Sequence, residues 1–124
     1  MTCRELKKVT AMIHVTVYDN EKGQYTGFLF EGHAGFAKSG QDIVCAGVSA
    51  LLLNAVNSVE SFAGDEFCYD EHSEEDVVTF MLTSDPISES AELLLRSLVL
   101  GLQGIEHAYG KKYLTLEIKR KQEV

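Results

Sequence analysis

Apolar and polar residues alternate from Thr10 to Tyr18, with Ile13, Val15 and Val17 against Met12, His14 and Thr16. A two-residue period predicts a first strand. Asp19-Asn20-Glu21-Lys22-Gly23 has turn chemistry. Gln24 to Gly32, with Tyr25, Phe28, Leu29 and Phe30, predicts a second strand and therefore a hairpin. The period then changes. Val44, Val48, Leu51, Leu52, Ala55, Val59 and Phe62 recur at helical spacing, which predicts a helix from about Asp42 to Phe62, stopped by Gly64. Glu66 to Asp70 and Asp76 to Thr83 read as a second hairpin turning near Glu71 to Glu74. Asp85 is the expected N-cap of a second helix, with Pro86 at its first position. This helix runs to about Tyr109 and ends at Gly110. Tyr113 to Arg120 alternates again and forms a last strand. Lys119 to Val124 is a charged, solvated tail.

The order is β-β-α-β-β-α-β. Two helices on one face of a mainly antiparallel sheet of about five strands is the natural α+β packing. The 124 residues suffice for one domain, 1–124. In the second helix Ile87, Ala91, Leu94, Leu95, Leu98, Leu102 and Ile105 form one stripe. Leu93, Val99 and Leu100 lie off it, which predicts a homodimer built partly on this helix. Gly101 and Gly104 each weaken a helix interior by roughly 1 kcal/mol, so close packing against another backbone is expected there.

Composition narrows the function. The net charge of -8 speaks against nucleic acid and allows a basic protein partner. Seven of the twelve residues from Asp65 to Asp76 are acidic. Such a run is usually a solvated face. Three cysteines without metal-like spacing, and no signal peptide, point to a reducing cytoplasm. The longest uninterrupted apolar run, around Leu51 to Leu53, is far short of the ~20 residues of a membrane span. Neither end resembles a targeting or lipidation signal.

Chemistry concentrates between Gly32 and Asn57. A strand ends at His33. The loop from Ala34 to Gln41, with Gly35, Phe36, Ser39 and Gly40, is expected to be mobile and to hold a ligand. Cys45 follows twelve positions after His33. With Asp42 as N-cap, Cys45 is the third helical residue and the helix dipole favours its thiolate. With Ser39 as N-cap and Asp42 in a capping box, Cys45 is a turn deeper and gains less. Asp42 is then a cap, an orienting group, or both. Ser49 shares the face of Cys45 one turn on, and either lines a site or fills space. A buried, inert cysteine is the competing reading. His14, His72 and His107 are weaker candidates, Cys3 lies in a polar terminus, and Cys68 is expected to be packed.

The pieces Gly32-His33-Ala34, Gly40-Gln41-Asp42-Ile43-Val44-Cys45-Ala46 and Val48-Ser49 resemble the signature of the ribosomal-processing cysteine protease family, Prp. The order of elements, the Leu-rich second helix and the final Tyr-Leu-Thr-Leu strand extend the likeness over most of the chain. The resemblance implies a cytoplasmic homodimer without cofactor or metal. It implies a thiol endopeptidase, with His33 and Cys45 as its catalytic pair. Its substrate would be the short N-terminal extension of large-subunit ribosomal protein twenty-seven. Gly47 departs from the alanine often found there. A non-catalytic protein-binding module and a thiol enzyme of another reaction type fit the same residues.

Overall fold

The computed structural model describes residues 13–32, 39–72 and 76–120, with the backbone alone for 39–42. The elements are β1 (Ile13–Asp19), β2 (Tyr25–Gly32), α1 (Ser39–Ser58) continued by a π-helical turn (Val59–Ala63), β3 (Phe67–His72), β4 (Val77–Leu82), α2 (Glu89–Tyr109) and β5 (Leu114–Arg120). They form one sheet in the order β3-β4-β2-β1-β5. Three pairings are antiparallel, and β1 with β5 is parallel. The expected α+β architecture and element order are therefore observed.

Strand register builds the core. Val17, Phe28 and Phe80 lie abreast across three strands, and Val15 faces Phe30. All five are buried. Phe28 and Phe80 stack with centroids 5.4 Å apart, and Phe67 adds its ring 5.1 Å from Phe80. Val44, Val48, Leu52, Ala55 and Val59 come down from the first helix; Ala91, Leu95, Leu98 and Leu102 come from the second. Helical spacing thus selects the buried side of each helix, as the pattern predicts.

The helices are antiparallel and close. A Cβ built on Gly101 would lie 2.9 Å from Leu51 Cδ1, and one on Gly47 would lie 3.4 Å from Ile105 Cδ1. Close packing thus accounts for Gly101, but against the Leu51 side chain rather than the expected backbone. At Gly104 a Cβ would meet nothing within 4 Å, so that part of the expectation fails.

Other boundaries shift. α1 is helical from Ser39, not Asp42. Phe62 is 77% exposed, because the π-helical turn takes it off the apolar stripe. Gly64 closes that turn in the left-handed region at φ 77°, its N–H donating to Val59 O at 3.0 Å. The second helix starts at Glu89, with Ser88 rather than Asp85 as N-cap. Pro86 precedes the helix. The reason lies far away in sequence. Asp65 accepts hydrogen bonds from the Ser88 amide at 2.9 Å, the Ser88 hydroxyl at 2.5 Å and the Ser84 hydroxyl at 3.0 Å. Val99 is buried, while Leu93 and Leu100 are exposed. Finally, Ile43–Ala63 is long and apolar enough, by length and composition, to cross a membrane. The run-length argument missed this because Gly47, Ser49 and Asn54 interrupt the stretch without making it strongly polar. Here its apolar stripe is buried in the core.

Candidate active site

Cys45 stands in the second turn of α1, six residues beyond Ser39. It is half-buried against the core and forms no disulfide. Neither register is observed as drawn: Ser39 is itself helical rather than the N-cap, so Cys45 is the seventh helical residue, deeper than either register places it. Asp42 lies inside the helix and is not its N-cap, and Cys45 is not the third helical residue. The macrodipole acts mainly within the first turn, so its support for a thiolate is smaller than the Asp42-capped register implied. Ser49 lies one turn later on the same face and is also half-buried. Ser39 and Gly40, read as loop, belong to the helix.

The other half of the candidate site is approached from the sheet. β2 is its central strand, and it ends at Gly32, whose N–H donates to Asp76 O at 3.2 Å. His33, Ala34, Gly35 and Phe36 lie outside the described residues, as does the side chain of Asp42. The fold therefore brings the end of a central strand and the start of the cysteine-bearing helix to within six intervening residues of each other.

The remaining candidates fall into place. His14 sits on the sheet face away from the core, with Nδ1 3.6 Å from Glu31 and Nε2 3.4 Å from Glu117. It is a cross-strand partner of two carboxylates. His72 is exposed at the end of β3, and His107 occupies the last turn of α2, where a cation is favourable. Cys68 is exposed, because it lies on the outer face of an edge strand; the packed position expected for it is not observed. Among the described residues no three ligating side chains form a metal-sized group. An open groove lined by Asn20, Thr26, Met81 and Ile87 lies at the opposite end of the sheet from Gly32.

Two titrating groups are displaced. Partial burial raises the Asp65 carboxyl, but the hydrogen bonds from Ser88 and Ser84 outweigh it and hold the group below its ordinary value. Burial pushes the Tyr69 phenol up, and the neighbouring Glu71 carboxylate adds to that. The sequence places Asp65 at the head of an acidic run and Tyr69 in a short strand within it, and gives neither residue a hydrogen-bonding or electrostatic partner. Nothing local to Asp65 shows that its partners lie 19 and 23 positions away.

Comparisons with known proteins show what this chain and its fold are similar to. The family model described as Cysteine protease Prp matches residues 12–114. The ribosomal processing cysteine protease Prp of Bacillus subtilis (strain 168) is 37% identical over 101 residues, covering 79% of this chain and 90% of that protein. Its Staphylococcus aureus (strain Mu50) counterpart is 33% identical over 103 residues, covering 81% and 93%. The crystal structure of an essential ribosomal processing protease Prp from S. aureus, in complex with a substrate peptide, superposes with a TM-score of 0.79 at 28% identity. That match covers 87% of this chain and all of that one.

Proposed function

This chain belongs to the cysteine protease Prp family, and from that premise we propose that it cuts the short N-terminal extension from large-subunit ribosomal protein twenty-seven, with Cys45 as nucleophile and His33 as base. The observation that carries the reading is the family match over 12–114, which spans both residues, together with the half-buried, unpaired Cys45 near the start of α1.

The chemistry is acyl transfer. His33 removes the proton from Cys45 Sγ, and the thiolate attacks the scissile carbonyl carbon. Backbone N–H groups at the start of α1 hold the resulting oxyanion. The tetrahedral adduct collapses by breaking the C–N bond. The departing amine takes the proton from His33. A water then gives a proton to His33, its oxygen attacks the thioester, and the released Cys45 thiol recovers the proton. Asp42 orients and Ser49 lines the site. Residues 34–38 and the first turn of α1 contact the bound peptide. The reaction needs no cofactor.

The enzyme works as a homodimer in the cytoplasm. Leu93 and Leu100, exposed on α2, support the dimer; Val99, used elsewhere, does not. Incubating the protein with a peptide spanning the extension and its junction tests the reading. Cleavage at one bond, abolished by iodoacetamide, is the expected result. Cleavage that survives alkylation of Cys45 overturns it.

A further inference from the structure

The two outer strands of the sheet are finished differently. On β5, the N–H of Leu114 donates to Gly110 O at 3.3 Å and that of Leu116 to Glu106 Oε2 at 2.9 Å. The end of α2 thus occupies this edge. On β3, Thr83 N donates to Glu66 O at 2.8 Å, and the register pairs Cys68 with Met81 and Asp70 with Thr79. Even-numbered residues therefore make the ladder to β4. Phe67, Tyr69 and Glu71 turn their N–H and C=O groups outward. Among the described residues these groups have no partner.

An open edge is a template for another strand, and proteins guard it with proline, lysine or a bulge. From Asp65 to Asp76 there is no proline, lysine or arginine. The pairing of β3 with β4 runs without a register shift. Side chains specify what fits. Glu66 and Asp70 project on one face of β3. Phe67 and Tyr69, half-buried, project on the other, with Glu71 beyond them. A second copy of this strand would oppose like charges, which disfavours self-pairing.

We propose that the open edge of β3 takes up an extended segment of the protein substrate as a sixth strand, with lysine or arginine beside Glu66 and Asp70 and apolar residues beside Phe67 and Tyr69. Main-chain hydrogen bonds supply the affinity and the alternating side chains supply the choice. The identity of the partner rests on the proteolytic reading, since ribosomal proteins are basic. β3 lies two strands from β2, roughly 10 Å across the sheet. The captured segment is therefore a docking element apart from the residues being cut.

The test uses the full chain and a short peptide alternating lysine and valine. Two controls carry glutamate for lysine, or N-methyl groups on alternate backbone nitrogens. At a peptide concentration ten times its Kd, amide exchange at Phe67, Tyr69 and Glu71 should slow by about tenfold. Neither control should protect them, and Glu66→Lys with Asp70→Lys should remove the effect. No protection overturns the proposal. So does equal protection by the N-methylated peptide, which would leave only attraction between charges. Cleavage of a short peptide without basic residues should be unchanged in the double variant. Protection without any Cys45-dependent cleavage would sink the proteolytic reading and leave the edge standing; cleavage without protection would do the reverse.

Discussion

The two helices lie against each other, yet they are fixed by different means. The start of α2 is tied by polar groups. Ser88 Oγ accepts from Ala91 N at 3.0 Å, and Asp65, just past the end of the first helix, holds Ser88 in turn. Along α1 the described contacts are packing: Val44, Val48 and Leu52 in the core, Leu51 over Gly101, and Ile105 over Gly47. The polar devices sit on the helix that carries no catalytic candidate. The helix with Cys45 is positioned by shape. Chemistry and anchoring are thus separated along the chain, and substitutions in one should leave the other nearly intact.

The largest expected effect is on activity. Cys45→Ala should lower kcat/KM for peptide cleavage by at least about a thousandfold, as loss of a nucleophile does. Circular dichroism and the melting temperature should be almost unchanged, because a half-buried thiol loses little packing. A large fall in melting temperature would show that the thiol is chiefly a core group.

Asp65→Ala tests the tied helix. It removes three hydrogen bonds around Ser84 and Ser88 and should cost about 1–2 kcal/mol in urea unfolding. Activity measured well below the melting temperature should persist. The pH dependence has a definite sign. The folded carboxyl titrates below its ordinary value of 3.8. Its stabilisation is therefore complete above that value and disappears as pH falls through the lower folded one. Asp65→Asn should flatten this acid limb. An unchanged limb would mean that another carboxylate governs it.

The smaller effects come from two neighbouring glycines of α2. Gly101→Ala forces Leu51 to move and should cost about 1 kcal/mol, the overpacking penalty exceeding the gain in helix propensity. Gly104→Ala meets open space and should add roughly 0.5–1 kcal/mol. Equal shifts in the two variants, read by denaturant titration, would contradict the close helix contact.

The same separation explains what the sequence revealed. Strand alternation around Val15 and Phe28, and the helical stripe from Val44 to Val59, are local periodicities. They placed the sheet, both helices and the order of elements. The helix starts were misplaced. Asp85-Pro86 has good start chemistry, but Asp65 recruits Ser88 instead through a contact that no local rule registers. The Asp42 cap lost to a helix already formed at Ser39. Phe62 fitted the stripe until a π-helical turn shifted the phase. In the candidate site, the type of Cys45 and its proximity to a helix start were legible. The exposure of Cys68 depends on which strand lies at the edge, and strand order is set by long-range pairing.

Attack of Cys45 on the substrate carbonyl can be trapped with a peptide of the extension bearing a chloromethyl ketone at the cut, followed by proteolytic mapping and mass spectrometry of the adduct. One stoichiometric thioether on Cys45, none on Cys3 or Cys68, and loss of labelling in His33→Ala at neutral pH are expected. Labelling of Cys68, or full cleavage activity in protein whose Cys45 is blocked, would contradict attack by Cys45.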